Sequence, residues 1–271
     1  DRELIHNVAL RVEDTDSADR FKVSGRGELH LAILIENMRR EGFELAVGRP
    51  EVIFREVEGR QQEPFENVLL DVEEAHQGAV MEDLGKRKGV LSNLLPDGKG
   101  RIRIEYEIPT RALIGFRSDF LTMTSGTGIM TSIFSRYDDV VSKEIGMRTN
   151  GVLVSMVTGK CLAFALFNLQ ARGRMFIDPN QQIYEGQVVG LHSRGNDLVV
   201  NPLKGKQLTN VRASGTDESI ILNSPIRHTL EQAIEFIDDD ELVEVTPGSI
   251  RIRKKLLTEN ERKRAGREKV A

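Results

Sequence analysis

The sequence predicts an α+β protein in three consecutive modules: two split β-α-β modules, the first truncated, and then a β-barrel-like domain with helices. Three observations lead there. Apolar residues alternate at period two in runs such as Val68, Leu70 and Val72, which predicts half-buried strands. They recur at i, i+3, i+4 and i+7 in others, such as Leu31, Leu34, Ile35 and Met38, which predicts an amphipathic helix. From about Gly146 the apolar runs become shorter and are punctuated by glycine. A chain of 271 residues, 39% hydrophobic and 30% charged, suits two or three small cores.

In the first module, residues 1–62, Leu4 and Ile5 read as the tail of a helix and Val8, Leu10 and Val12 as one face of a strand. Asp14 to Asp19 is a polar turn, Phe21 to Ser24 a return strand, and Glu28 to Glu41 a helix that Gly42 stops; Phe43, Leu45 and Val47 begin a last strand. In the second, residues 63–145, the order is a strand at Val68–Val72, a helix at Ala79–Arg87, strands at Val90–Leu95 and Ile102–Tyr106, a helix at Arg111–Thr124 and a strand at Gly128–Phe134. That is β-α-β-β-α-β, the ferredoxin-like order. Pro96-Asp97-Gly98-Lys99-Gly100 is its tight turn, since proline presets one dihedral and glycine admits positive φ.

In the third, residues 146–271, Val152, Val154 and Met156 alternate, Ala163 to Leu169 is almost continuously apolar, and Val188–Leu191 and Leu198–Val200 follow. These short runs predict a barrel or sandwich. Thr229 and Gln232 have capping-box spacing before Leu230, Ala233, Ile234 and Ile237; Leu242–Val245, Pro247-Gly248 and Ile250–Arg253 read as a hairpin; Thr258 and Glu261 cap a basic terminal helix.

The most specific stretch is Val23 to Leu31, in which Ser24, Gly25, Gly27, Glu28, Leu29, His30 and Leu31 carry a strand through two glycines into a helix. It resembles the third domain of the elongation factor G family of translational GTPases. Glu74 to Gly89, with His76-Gln77-Gly78-Ala79-Val80 and Gly85-Lys86-Arg87-Lys88-Gly89, resembles that family's fifth domain. With the third region, the whole chain resembles the C-terminal part of the BipA (TypA) family of translational GTPases. The resemblance implies a first module lacking one strand and most of a helix, with an exposed sheet edge.

No phosphate-binding loop is present: at Gly159-Lys160-Cys161, Val154 stands where the first glycine belongs and Cys161 replaces the magnesium-binding hydroxyl. The chain is therefore expected to be no enzyme and to hold no cofactor, the resemblance implying GTP and Mg in a separate N-terminal domain of a GTP-hydrolysing parent. His6, His30, His76, His192 and His228 show no metal-ligand spacing, and the Asp238–Glu241 run lacks the pattern of a calcium loop. His30 reads as a capping or interface histidine and Asp238–Glu241 as a solvated helix end. One cysteine, Cys161, and the absence of a long apolar run predict a cytoplasmic protein with no membrane partner.

Charge is unevenly divided. Residues 1–62 hold 10 Lys/Arg against 13 Asp/Glu, residues 63–145 hold 10 against 14, and residues 146–271 hold 18 against 15, so phosphate contacts are expected in the last third. Residues 198–216 contain no acid and carry Lys204, Lys206 and Arg212; Arg251 to Lys269 adds nine Lys/Arg, with Arg251 and Arg253 on one strand face and Arg262, Lys263 and Arg264 on one helical turn. These eight are the candidate RNA-binding residues. The resemblance implies ribosome docking on 30S and 50S, contact with rRNA and the tRNA acceptor region, and a role in large-subunit assembly and stress-adapted translation. The alternatives are a free-standing RNA-binding protein and a catalytic domain; a cleft of converging titratable groups would favour the latter.

Overall fold

The structure, a computed structural model, describes residues 2–141, 145, 148–205 and 220–268. The chain forms two compact units, residues 1–49 with 148–271, and residues 50–147. It is mixed α+β in both.

The first unit opens with α1 (Arg2–His6), β1 (Arg11–Asp14), β2 (Phe21–Ser24), α2 (Glu28–Arg40) and β3 (Leu45–Val47). β1 and β2 form an antiparallel ladder with Val12 opposite Val23, and β3 is not part of it. Gly25 is explained by its neighbour: a Cβ there would lie 2.8 Å from His30 Nδ1 and 2.9 Å from Leu31 Cδ2. The ring occupies that space to accept from the Arg26 N–H at 3.2 Å, and its Nε2 lies 2.7 Å from the Asn7 side-chain amide. The imidazole thus closes the turn that leads into α2.

The second unit contains β4 (Arg55–Val57), β5 (Arg60–Glu73), α3 (Gln77–Lys86), β6 (Val90–Pro96), β7 (Arg101–Pro109), α4 (Phe116–Met123) and β8 (Ile129–Asp139). Hydrogen bonding orders the four long strands β6-β7-β5-β8, the ferredoxin-like arrangement, with β4 folded back on β5 through Glu58 and Gly59 at φ 52° and 76°. Val68, Leu70, Val72, Ile102, Ile104 and Ile108 bury one sheet face against Val80, Leu84, Phe116 and Phe120 of the helices. Asp97 Oδ1 accepts from the backbone N–H groups of Lys99 and Arg101 at 2.7 and 3.0 Å, which closes the Pro96–Gly100 turn. Arg87 joins the two helices: it pairs with Asp83 and Asp119 at 2.7 Å each and donates to the carbonyls of Ala112 and Ile114.

The first unit resumes with β9 (Val152–Ser155), β10 (Gly159–Lys160), α5 (Ala163–Leu169), β11 (Gly173–Met175), β12 (Gln182–Ile183), β13 (Val188–His192), β14 (Leu198–Val200), α6 (Leu230–Phe236), β15 (Glu241–Thr246), β16 (Ser249–Lys254) and α7 (Glu259–Glu268). β11-β13-β9-β14 form one sheet, with β14 parallel to β9; β10 pairs β12; and β16-β15-β3 form a third. Among the described residues none of these sheets closes, so the barrel-like expectation resolves into open sheets. The Ala163–Leu169 run, expected among the strands, is a helix. Its alanines, leucines and phenylalanines include no β-branched residue, and burial of Ala165 and Leu166 decides the conformation.

The terminal strand of the N-terminal segment pairs with β15, Val47 opposite Val243 and Leu45 opposite Val245. Ile35 of α2 shares a core with Val152, Val188, Ala233, Ile234, Val243 and Ile252. Residues 45–47 are therefore covered on one edge by residues 243–245.

Candidate nucleic-acid interface

β14 carries the chain to the acid-free segment. The Val152 N–H is fixed by Asp197 Oδ1 at 2.9 Å, Asn201 Oδ1 accepts from the Leu203 N–H at 2.9 Å, and Pro202 is buried with its carbonyl accepting from the Leu162 N–H at 3.0 Å. Leu203 packs where a side chain on Gly159 would stand. These contacts leave Lys204 exposed beside the N-terminal end of α5. Lys206 and Arg212 lie outside the described residues.

Between α5 and β14 runs a surface groove of about 350 Å³. Leu169, Leu198 and Val200 supply apolar walls, Asn168 and Asn201 supply amides, and Lys204 and Arg172 are its cations. Arg172 follows the C-terminal end of α5 and is exposed; among the described residues neither it nor Lys204 has an ion-pair partner. Arg172 was not among the sequence candidates. Ala165, Asn168 and Leu169 recur at i, i+3 and i+4 on α5, a signal that appears only once the run is read as a helix, and the turn after the helix brings Arg172 to the same groove.

Four of the other candidate cations, Arg251, Arg253, Arg262 and Lys263, are engaged within the protein. Arg251 and Arg253 both turn toward Glu244 across the β15–β16 ladder, at 3.4 and 3.8 Å. Tyr184 donates its hydroxyl to the same carboxylate at 2.7 Å, and burial together with that bond pushes the phenol up. Arg262 donates to the carbonyls of Leu256 and Leu257 at 2.9 and 2.5 Å, fastening the start of α7, and Lys263 pairs with Glu259 at 2.5 Å. Arg264 is exposed on the same helix.

Behind β15 lies a buried ionic cluster. Glu241, fully buried, is held by both Arg148 terminal nitrogens at 2.9 Å and by Lys254 Nζ at 2.9 Å; Lys254, 2% exposed, also pairs with Asp197 and Asp240 at 2.5 and 2.9 Å. Burial alone would push the Glu241 carboxyl up, but the Arg148 bonds and the Lys254 charge outweigh it and hold it below the usual range. Burial alone would lower Lys254, and its three carboxylates raise it instead. Asp238 and Asp239 pair with Arg49 at 3.3 and 3.1 Å. The Asp238–Glu241 run, read as a solvated helix end, is thus matched by cations, and no cluster of three or more His, Cys, Asp or Glu suited to a metal occurs among the described residues. Nor is any described helix long and apolar enough to cross a membrane.

Residues 150–259 match the TypA/BipA C-terminal domain family and residues 60–146 match the elongation factor G C-terminus family. Similar curated proteins carry the name large ribosomal subunit assembly factor BipA. That of Escherichia coli strain K12 is 69% identical over 98% of this chain, that of Haemophilus influenzae 67% identical over 98%, and that of Buchnera aphidicola 63% identical over 99%. The chain spans less than half of each, 44%, 43% and 44% of their lengths.

Proposed function

The chain belongs to the BipA family over its matched length, and from that membership we propose that it is a ribosome-docking, RNA-binding region acting in assembly of the large (50S) subunit and in stress-adapted translation. Lys204, Lys206 and Arg212 meet RNA phosphates of the tRNA acceptor region and of large-subunit rRNA, with Arg264 and its neighbours on α7 adding attraction. The three-part division at residues 62 and 145 belongs to the same proposal, with the 30S subunit met by the first part. So does a cytoplasmic setting. GTP and magnesium would be bound and GTP hydrolysed by a separate domain, since Gly159-Lys160-Cys161 is no phosphate loop.

The observation that supports this reading best is the contrast in how cations are used. Arg148, Arg251, Arg262 and Lys254 are bound to partners inside the protein, while Lys204 stands exposed, with no ion-pair partner among the described residues, in a segment whose sequence is free of acids. Exposed cations without partners are what phosphate neutralisation uses. Co-sedimentation of the chain with isolated 30S and 50S subunits tests the proposal, with binding to 50S the expected result. Deleting residues 146–271 is the wrong control, because it strips the core from Ile35 and the partner strand from β3.

A further inference from the structure

We infer that the groove between α5 and β14 takes one unstacked nucleotide of single-stranded RNA, its base against the apolar walls and its flanking phosphates on Arg172 and Lys204. This rests on the RNA-binding reading and goes beyond it, because a groove that admits a base adds a recognition step that surface charge alone does not supply. The two cations stand near opposite ends of α5: Arg172 just past its C-terminus, Lys204 by its N-terminus, where the Pro202 carbonyl holds the Leu162 N–H. An occupant lying along the groove is thus met by positive charge at both ends and apolar surface between, which fits a base joined to two phosphates. The volume of about 350 Å³ lies at the small end of ligand sites, roughly 300–1,000 Å³.

The two amides are left with complementary capacity. Asn168 Nδ2 donates to the Phe164 carbonyl at 2.9 Å, which leaves its Oδ1 to accept, and Asn201 Oδ1 accepts from the Leu203 N–H, which leaves its Nδ2 to donate. One acceptor and one donor at an apolar floor match the polar edge of any base, so the site is expected to select unpaired over paired nucleotides rather than one sequence.

The test uses the full chain, a labelled short oligoadenylate, and the same oligomer made wholly abasic, which keeps every phosphate. The intact oligomer should bind about tenfold more tightly than the abasic one. The double variant Asn168→Ala/Asn201→Ala should cut that advantage to about twofold with little effect on the abasic oligomer, whereas Arg172→Ala should weaken both equally. Thermal melting of each variant verifies the fold, and Asn201→Ala alone serves if the double variant is unstable. Equal binding of the two oligomers by the unaltered chain would overturn the groove while leaving phosphate-based RNA binding intact. Binding to 50S subunits with no affinity for either oligomer would overturn it too. Loss of oligomer and subunit binding together would overturn both readings.

Discussion

Val47 stands opposite Val243 in an antiparallel ladder, so the N-terminal segment and the last strands of the chain complete one sheet. Both edges of β15 are occupied, by β16 on one side and β3 on the other. The C-terminal sheets and the segment from α2 to β3 are accordingly expected to be stable together and to open together.

Ile35→Ala tests that coupling. It removes buried methyl groups from the core that α2 shares with α6 and β15, a loss of about 2 kcal/mol or more. Hydrogen exchange should quicken at residues 241–246 as well as in α2, while residues 65–73 of the other unit keep their protection. Acceleration confined to α2 would show that the two parts open separately.

The buried cluster predicts a large cost for losing one charge. Lys254→Met leaves Glu241 and Asp197 short of a partner and should destabilise by roughly 3–5 kcal/mol. Arg251→Ala, at a half-exposed pair, should cost about 1 kcal/mol or less. Urea denaturation of the two variants against the parent measures both.

The same cluster sets a direction with pH. Glu241 is held below its unfolded value, so its contribution is complete above about pH 4.3 and is lost as pH falls through the lower folded value. Lys254 is held above its unfolded value, so its contribution is complete below about pH 10.4 and is lost as pH rises through the higher folded value. Stability should therefore fall on acidification, and Glu241→Gln should flatten that fall. An equally steep acid limb in the variant would assign it to other carboxylates.

Much of this was legible because local patterns agreed with tertiary demand. The alternation of Val68, Leu70 and Val72 became a buried strand face, and Thr229 and Gln232 make both bonds of the capping box, Gln232 N–H to Thr229 Oγ1 at 3.3 Å and Thr229 N–H to Gln232 Oε1 at 3.0 Å. The pairing of β3 with β15 was not legible, since nothing in three residues of strand names a partner so distant in the chain. Ala163–Leu169 failed for another reason: a short continuous apolar run has no period that separates helix from strand. Without α5 as a helix, the face carrying Ala165, Asn168 and Leu169 is hidden in the sequence, and so is the groove.

Arg87 marks the difference between a basic triplet and a binding site. Lys86, Arg87 and Lys88 look alike in sequence, yet Arg87 is mostly buried between Asp83 and Asp119. Arg87→Ala should lower the melting temperature of the 50–147 unit, whereas Lys86→Ala, at an exposed helical pair, should change it little. A charge control in that unit is therefore made with Lys86 and Lys99 and leaves Arg87 in place.

The most direct test of the central claim is the affinity of the full chain for isolated 50S subunits across a salt series, compared with Lys204→Ala/Lys206→Ala/Arg212→Ala. Loss of three phosphate contacts should flatten the slope of log affinity against log salt by roughly 2 to 3 units, with the melting temperature nearly unchanged and the Lys86→Ala/Lys99→Ala control keeping the parent slope. An unchanged slope in the triple variant would contradict the claim that these three cations meet RNA.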